Sequence, residues 1–90
     1  MTQFNLPGNL TLLLEPADKK FRLVLSDGTN ELACHKETRT NLKKFITSTE
    51  SQLFNGRLQL HKNGEAIVIR LKGEDVGVIS LKELENVLET

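Results

Sequence analysis

Between residues 57 and 72 apolar and polar side chains alternate on both sides of an Asn-Gly pair. Leu58 and Leu60 alternate with Arg57, Gln59 and His61, and Ile67, Ile69 and Leu71 alternate with Val68, Arg70 and Lys72. Period two sends successive side chains to opposite faces of a strand, so each run is a strand with one buried face. Asn63-Gly64 tolerates the positive φ of a two-residue hairpin turn, which predicts a β-hairpin with Lys62 standing opposite Glu65. Beyond Gly73-Glu74-Asp75, Val76 and Val78 resume an inward set as far as Ser80. Ser80-Leu81-Lys82-Glu83 then fits a capping box, in which the serine hydroxyl and the glutamate each reach the other's backbone N–H. Leu81, Leu84, Val87 and Leu88 recur on one face of the helix that follows, with Lys82, Glu83, Glu85 and Glu89 away from it. The unit reads β-β-β-α.

The preceding residues read the same way. Residues 1–8 form an N-terminal arm interrupted by Pro7-Gly8, loosely held, with Phe4 folded back as a lid. Leu10, Leu12 and Leu14 then alternate with Thr11, Leu13 and Glu15; after the turn-rich Pro16-Ala17-Asp18-Lys19, Phe21, Leu23 and Leu25 alternate with Arg22 and Val24. Past Asp27-Gly28-Thr29-Asn30, Leu32 and Cys34 form the inward side of a third strand, opposed to Ala33 and His35. Thr38 or Thr40 caps a helix whose face carries Leu42, Phe45, Ile46, Thr49 and Leu53 and which ends near Asn55-Gly56, unless Thr47-Ser48-Thr49 breaks it early.

Laid on each other, Leu10 matches Leu58, Phe21 matches Ile67, Leu32 matches Val76 and Leu42 matches Leu84, each connection in the second half being shorter by two residues. An even difference keeps the inward face inward, which reads as an internal repeat. The expected fold is α+β: two β-β-β-α units, halves 9–55 and 56–90 of a single domain, forming an antiparallel sheet with two helices packed on one face. Two crossing three-stranded sheets are the alternative.

Charge and chemistry narrow the function. Twelve basic and twelve acidic residues cancel, but residues 36–44 and 57–72 each carry +3 and residues 73–90 carry −4. The chain is neutral and polarised. The start, Met1-Thr2-Gln3-Phe4-Asn5, lacks a basic segment followed by an apolar one, and no apolar run reaches the roughly 18 residues of a membrane helix, so a cytoplasmic protein without membrane contact is expected. Its single cysteine, Cys34, is expected in the core and on the face opposite His35, so the two cannot form a nucleophile and base. Cys34, His35 and His61 do not make the convergent set a metal needs, and no glycine-rich phosphate loop precedes a Lys-Ser/Thr pair. No enzyme, metal or cofactor is expected.

The outward residues mix Arg22, Arg57, Gln59, His61, Arg70 and Lys72 with Leu13, Val24, Val68 and Ile79, more apolar than a merely solvated sheet face. A partner is expected there. The repeated strands followed by a helix, with the last strand running through Gly77-Val78-Ile79-Ser80-Leu81 to Leu84, resemble the transcriptional-coactivator and Whirly class of single-stranded DNA-binding domains. The resemblance implies an open sheet face that holds a single strand. This chain departs from that class in having three strands per half and no tyrosine or tryptophan for stacking. Two functions follow as expectations. One is a small binding module for single-stranded DNA or RNA, using Arg22, Arg57, His61, Arg70 and Lys72. The other is a protein-interaction or assembly factor, a homodimer or a binder of another protein, using Leu13, Val24, Val68 and Ile79.

Overall fold

The computed structural model describes residues 2–89. Its elements run β1 (Thr2–Asn5), β2 (Thr11–Ala17), β3 (Lys20–Ser26), β4 (Glu31–Thr38), α1 (Arg39–Thr47), β5 (Gln52–Leu53), β6 (Leu58–Asn63), β7 (Ala66–Leu71), β8 (Glu74–Ser80) and α2 (Leu81–Glu89). The strands form two antiparallel sheets in chain order, β1-β2-β3-β4 and β5-β6-β7-β8, each followed by its helix. The α+β class, the antiparallel strands and the doubling are as the sequence predicts; the strand count is not. Each unit begins with one more strand, and the strands lie in two sheets, the number given by the alternative reading, instead of one.

The extra strands fall where the sequence shows no alternation. Residues 2–5 are not a loose arm: Gln3 pairs with Leu13 and Phe4 with Leu12, and the chain returns through Gly8 and Asn9, both at positive φ, closed by the Leu6 N–H on the Leu10 carbonyl. Phe4 and Leu6 are buried in the core, so the arm is an edge strand. Ahead of the second unit α1 stops at Thr47, and Leu53, assigned by its spacing to the helix, lies in β5 opposite Leu60. The β-branched and hydroxyl run Thr47-Ser48-Thr49 is a poor helix interior, and the termination agrees with that.

The hairpins correspond closely. Leu14 pairs with Leu23 across the Asp18-Lys19 turn, and Leu60 pairs with Ile69 across Gly64-Glu65. The second turn therefore sits one residue later than the Asn-Gly pair predicts, and Lys62 faces Ile67, not Glu65. Moving a two-residue turn by one position changes the pairing by two, so the inward residues stay inward. In this register Leu12, not Leu10, corresponds to Leu58. Each helix starts on a hydroxyl: Thr38 Oγ1 accepts the Asn41 N–H at 3.1 Å, and Ser80 Oγ accepts the Glu83 N–H at 3.3 Å.

The last strand of each unit departs most from the simple alternation. The register shifts between Leu25 and Ser26 against β4, and between Ile69 and Arg70 against β8, leaving Leu32 and Val76 as the extra, bulged residues. A bulge consumes one residue without a partner and reverses the facing of everything beyond it. Consequently Cys34 is exposed, opposite Val24 on the outer face, whereas His35 turns inward and meets the Phe54 ring at 3.9 Å. By the same shift Ile79 enters the core at 6% exposure and Val78, expected inside, stands 58% exposed.

One apolar cluster joins the inward residues of both sheets, among them Leu12, Leu23, Leu60 and Ile69, to Leu42, Phe45 and Ile46 of α1 and Leu84 and Leu88 of α2. Two contacts tie the units across it. Leu6 packs on Gly77 so closely that a Cβ there would meet Leu6 Cδ2 at 2.7 Å and Cβ at 3.0 Å. Lys62 of β6 sends its ammonium to the end of α1, donating to the Phe45 and Ser48 carbonyls at 2.5 and 2.6 Å, where unpaired carbonyls and the negative end of the helix favour a cation.

Both contacts are testable. Gly77→Ala should lower stability by about 1–3 kcal/mol, the usual cost of overpacking a filled site, read as a lower denaturant midpoint with an unchanged slope; a neutral result would mean that Leu6 moves freely. Lys62→Met should cost about 1–2 kcal/mol through two lost charge-assisted hydrogen bonds on a half-exposed side chain, with faster amide exchange concentrated in the last turn of α1.

Candidate nucleic-acid interface

The outer face of the second sheet is laid out in rows. Gln52, His61, Val68 and Val78 form one row across β5 to β8, and Gln59, Arg70 and Asp75 form the next across β6 to β8. Arg57 and Lys72 close the end of the sheet, the Lys72 N–H donating to the Arg57 carbonyl at 2.8 Å. Lys72 and Gly73 make the β7–β8 turn, both at positive φ as a type I′ turn requires. Their placement is thus a product of the hairpin geometry. Four of the five cationic positions read from the sequence, Arg57, His61, Arg70 and Lys72, share this sheet; Arg22 lies on the other.

They are not equally available. Arg70 Nε donates to Asp75 at 2.6 Å, because β8 returns beside β7 and lays an acid of the negative C-terminal segment on the positive stripe. His61 Nε2 shares a 2.9 Å hydrogen bond with Gln59, its neighbour two residues along the same face. Arg57 and Lys72 are exposed and make no ion pair among the described residues. They are the free charges of the face.

On the first sheet Arg22 is heavily engaged. Its guanidinium donates to Glu31 at 2.7 and 2.8 Å, to Glu15 at 3.3 Å and to the Cys34 sulfur at 3.1 Å. The hydrogen bond to Glu31, followed by that to Cys34, raises its already high pKa. Such a group anchors the face it lies on and offers little to a phosphate. Val24, opposite Leu13 and Cys34, is 3% exposed on this outer side and lies outside the core cluster.

The four apolar positions read as an interface are therefore dispersed. Ile79 belongs to the core because of the bulge at Val76, Val24 is covered, and half-buried Leu13 and Val68 lie on different sheets. Val78, next to Val68, is the exposed apolar residue that sequence alternation placed inside. Gln52 and Gln59 carry amides on the same face and have no sequence signal beyond their parity. Among the described residues no group of three or more His, Cys, Asp or Glu could hold a metal ion, and no helix is long and apolar enough to cross a membrane.

No family model, curated protein or solved structure matches the chain.

A titration local to the first sheet follows from the loop between β3 and β4. Asp27 accepts the Asn30 N–H at 2.7 Å and the Thr29 N–H at 2.9 Å, and these bonds, Asn30's first, hold its pKa below the ordinary aspartate value. A depressed carboxyl stabilises the loop above its unfolded pKa, and that contribution disappears as pH falls through the folded one. Amide protection at Thr29 and Asn30, relative to the intrinsic exchange rate at each pH, should fall only on acidification below the usual aspartate range, in step with the Asp27 carboxyl shift; in Asp27→Ala it should already be low at neutral pH.

Proposed function

We propose that this protein is a non-enzymatic module that binds single-stranded nucleic acid across the outer face of its second sheet. The observation that carries the reading is the grouping of Arg57 and Lys72, both without an ion pair among the described residues, at one end of a face that continues through Arg70, Gln59 and His61. Cations free of internal acids can release counterions on meeting a phosphate backbone. The amides and imidazole provide hydrogen bonds to bases, and half-buried Val68 beside Val78 provides an apolar strip in place of aromatic rings. The order β-β-β-β-α in each unit supports the same reading, since four strands before the helix is the arrangement of the Whirly-like class. Arg22 is not part of this surface, because its hydrogen-bonding groups are taken up by Glu31, Glu15 and Cys34.

A second reading takes the same face as a protein interface centred on Val78, the exposed large apolar side chain among the described residues. One experiment separates the two. Fluorescence anisotropy with labelled single-stranded DNA, single-stranded RNA and duplex DNA at about 50 and 200 mM salt should show binding that prefers single strands and weakens steeply with salt. Arg57→Gln with Lys72→Gln should reduce it at least tenfold and lower the salt slope by about two contacts, without disturbing an ion pair. No binding at the lower salt overturns the nucleic-acid reading; a sedimentation change in Val78→Asp then selects the protein interface.

A further inference from the structure

Two sheet edges lie beside one another without pairing. β1 ends the first sheet and β8 ends the second, and no strand pairs with the outer side of either. Between them is a cleft of about 360 Å³, lined by Gln3, Phe4 and Asn5 of β1, Val78, Ile79 and Ser80 of β8, and Glu83 of α2. One end is closed where Leu6 packs on Gly77. The ladders fix which backbone groups point into the cleft, because residues of an antiparallel pair alternate between bonding their partner and pointing away from it. The Leu6 N–H donates to the Leu10 carbonyl, so Phe4 also bonds across to β2, and Gln3 and Asn5 turn their N–H and C=O to the free edge. The Leu81 N–H donates to the Glu65 carbonyl, so Ile79 and Gly77 bond to β7, and Val78 and Ser80 turn to the other free edge. All four of these outward-turned residues line the cleft.

Edges are ordinarily blocked by charge, proline or a bulge. These two segments have no such block: Thr2–Asn5 is uncharged, and in β8 the acids Glu74 and Asp75 and the bulge at Val76 all lie before Gly77. Charge enters only at the rim. Ser80 Oγ accepts the Glu83 N–H at 3.3 Å, but the return bond of a capping box is not made among the described residues, so the Ser80 N–H remains turned to the cleft. The Glu83 side chain is exposed there and makes no ion pair among the described residues, and the segment 73–90 that carries it has a charge of −4. A strand that bonds both edges must have both of its own edges free. Each of the eight described strands is already paired on at least one side, so the occupant is an extended segment from outside the fold and not a second folded copy.

We propose that this cleft binds an extended basic peptide segment of another protein as an added strand, hydrogen-bonded to β1 on one side and β8 on the other. Three lining residues on each strand correspond to about 10 Å of extended chain. Backbone pairing holds the segment, a lysine or arginine side chain meets Glu83, and an apolar side chain on the outward side extends the row that ends at Val78. The same carboxylate disfavours a phosphate backbone. The cleft also lies at the end of β8 away from Lys72, so it is separate from the cationic end of the outer face.

The test is an amide-resolved NMR titration of the full chain with the end-capped peptide Lys-Val-Lys-Val-Lys-Val-Lys. Saturable shifts should appear at Gln3, Asn5, Val78 and Ser80 with a Kd of about 1 mM or tighter, and hydrogen exchange of those amides should slow on binding. The same peptide N-methylated at its valines keeps its charges and side chains, loses alternate donors, and should bind at least tenfold more weakly. Gln3→Pro removes one edge donor and leaves the β1–β2 bonds in place. It should weaken binding at least tenfold, whereas Gln3→Ala should titrate like the unaltered chain and Glu83→Gln should bind about threefold more weakly. The proposal is overturned if the four amides do not saturate or gain no protection, if the N-methylated peptide binds equally, or if Gln3→Pro or Glu83→Gln titrates unchanged. Shifts confined to the acidic side of α2 at Glu85 and Glu89 would mean charge attraction alone and overturn it too. Neither variant alters Arg57 or Lys72, so this site and the nucleic-acid face fail separately.

Discussion

The inner faces of the two sheets and the buried sides of the two helices meet in one apolar cluster, in which Leu12, Leu23, Leu60 and Ile69 are sealed together with Leu42, Phe45, Leu84 and Leu88. A unit of four short strands and a nine-residue helix is too small to remove its own apolar face from water, since chains below about 40–60 residues bury too small a fraction of their surface. Each unit therefore depends on the other. Lys62 reaching the end of α1 and Leu6 seated on Gly77 are consequences of that shared core, and both become possible only once the units have closed on each other.

The doubling also explains why one molecule has two unlike surfaces. Equivalent positions share strand order and hairpin register and differ in side chains, so the two units supply a frame on which charge is distributed unevenly. On the outer side the first sheet consumes its arginine internally, through Glu15 and Glu31, while in the second Arg57 and Lys72 make no ion pair among the described residues. On the inner side Lys62 of the second unit satisfies the end of α1, and a cavity opens beside the β2–β3 hairpin of the first.

Much of the architecture is legible in the residues. Alternation places Leu58, Leu60, Ile67 and Ile69 inside, Thr38 and Ser80 start their helices, and the match of Leu42 with Leu84 marks the repeat. What escapes is whatever depends on pairing between distant segments. β1 and β5 carry no alternation of their own and become strands because β2 and β6 present free edges to them. The bulges at Leu32 and Val76 have no local signal either, yet they decide that Cys34 and Val78 face out while His35 and Ile79 face in. The candidate face was half legible: Arg57, His61, Arg70 and Lys72 do share a sheet, but the acid on Arg70 and the glutamates on Arg22 come from neighbouring strands.

The sequence by itself determined the helices' starts, the facing of β2, β3, β6 and β7 and the similarity of the two units, because period, capping and turn chemistry act over a few residues. Only the tertiary structure decided how many strands each unit has, which charges remain unpaired and where a cavity persists. Those outcomes depend on which segments of the chain come to lie side by side, and no local pattern specifies them.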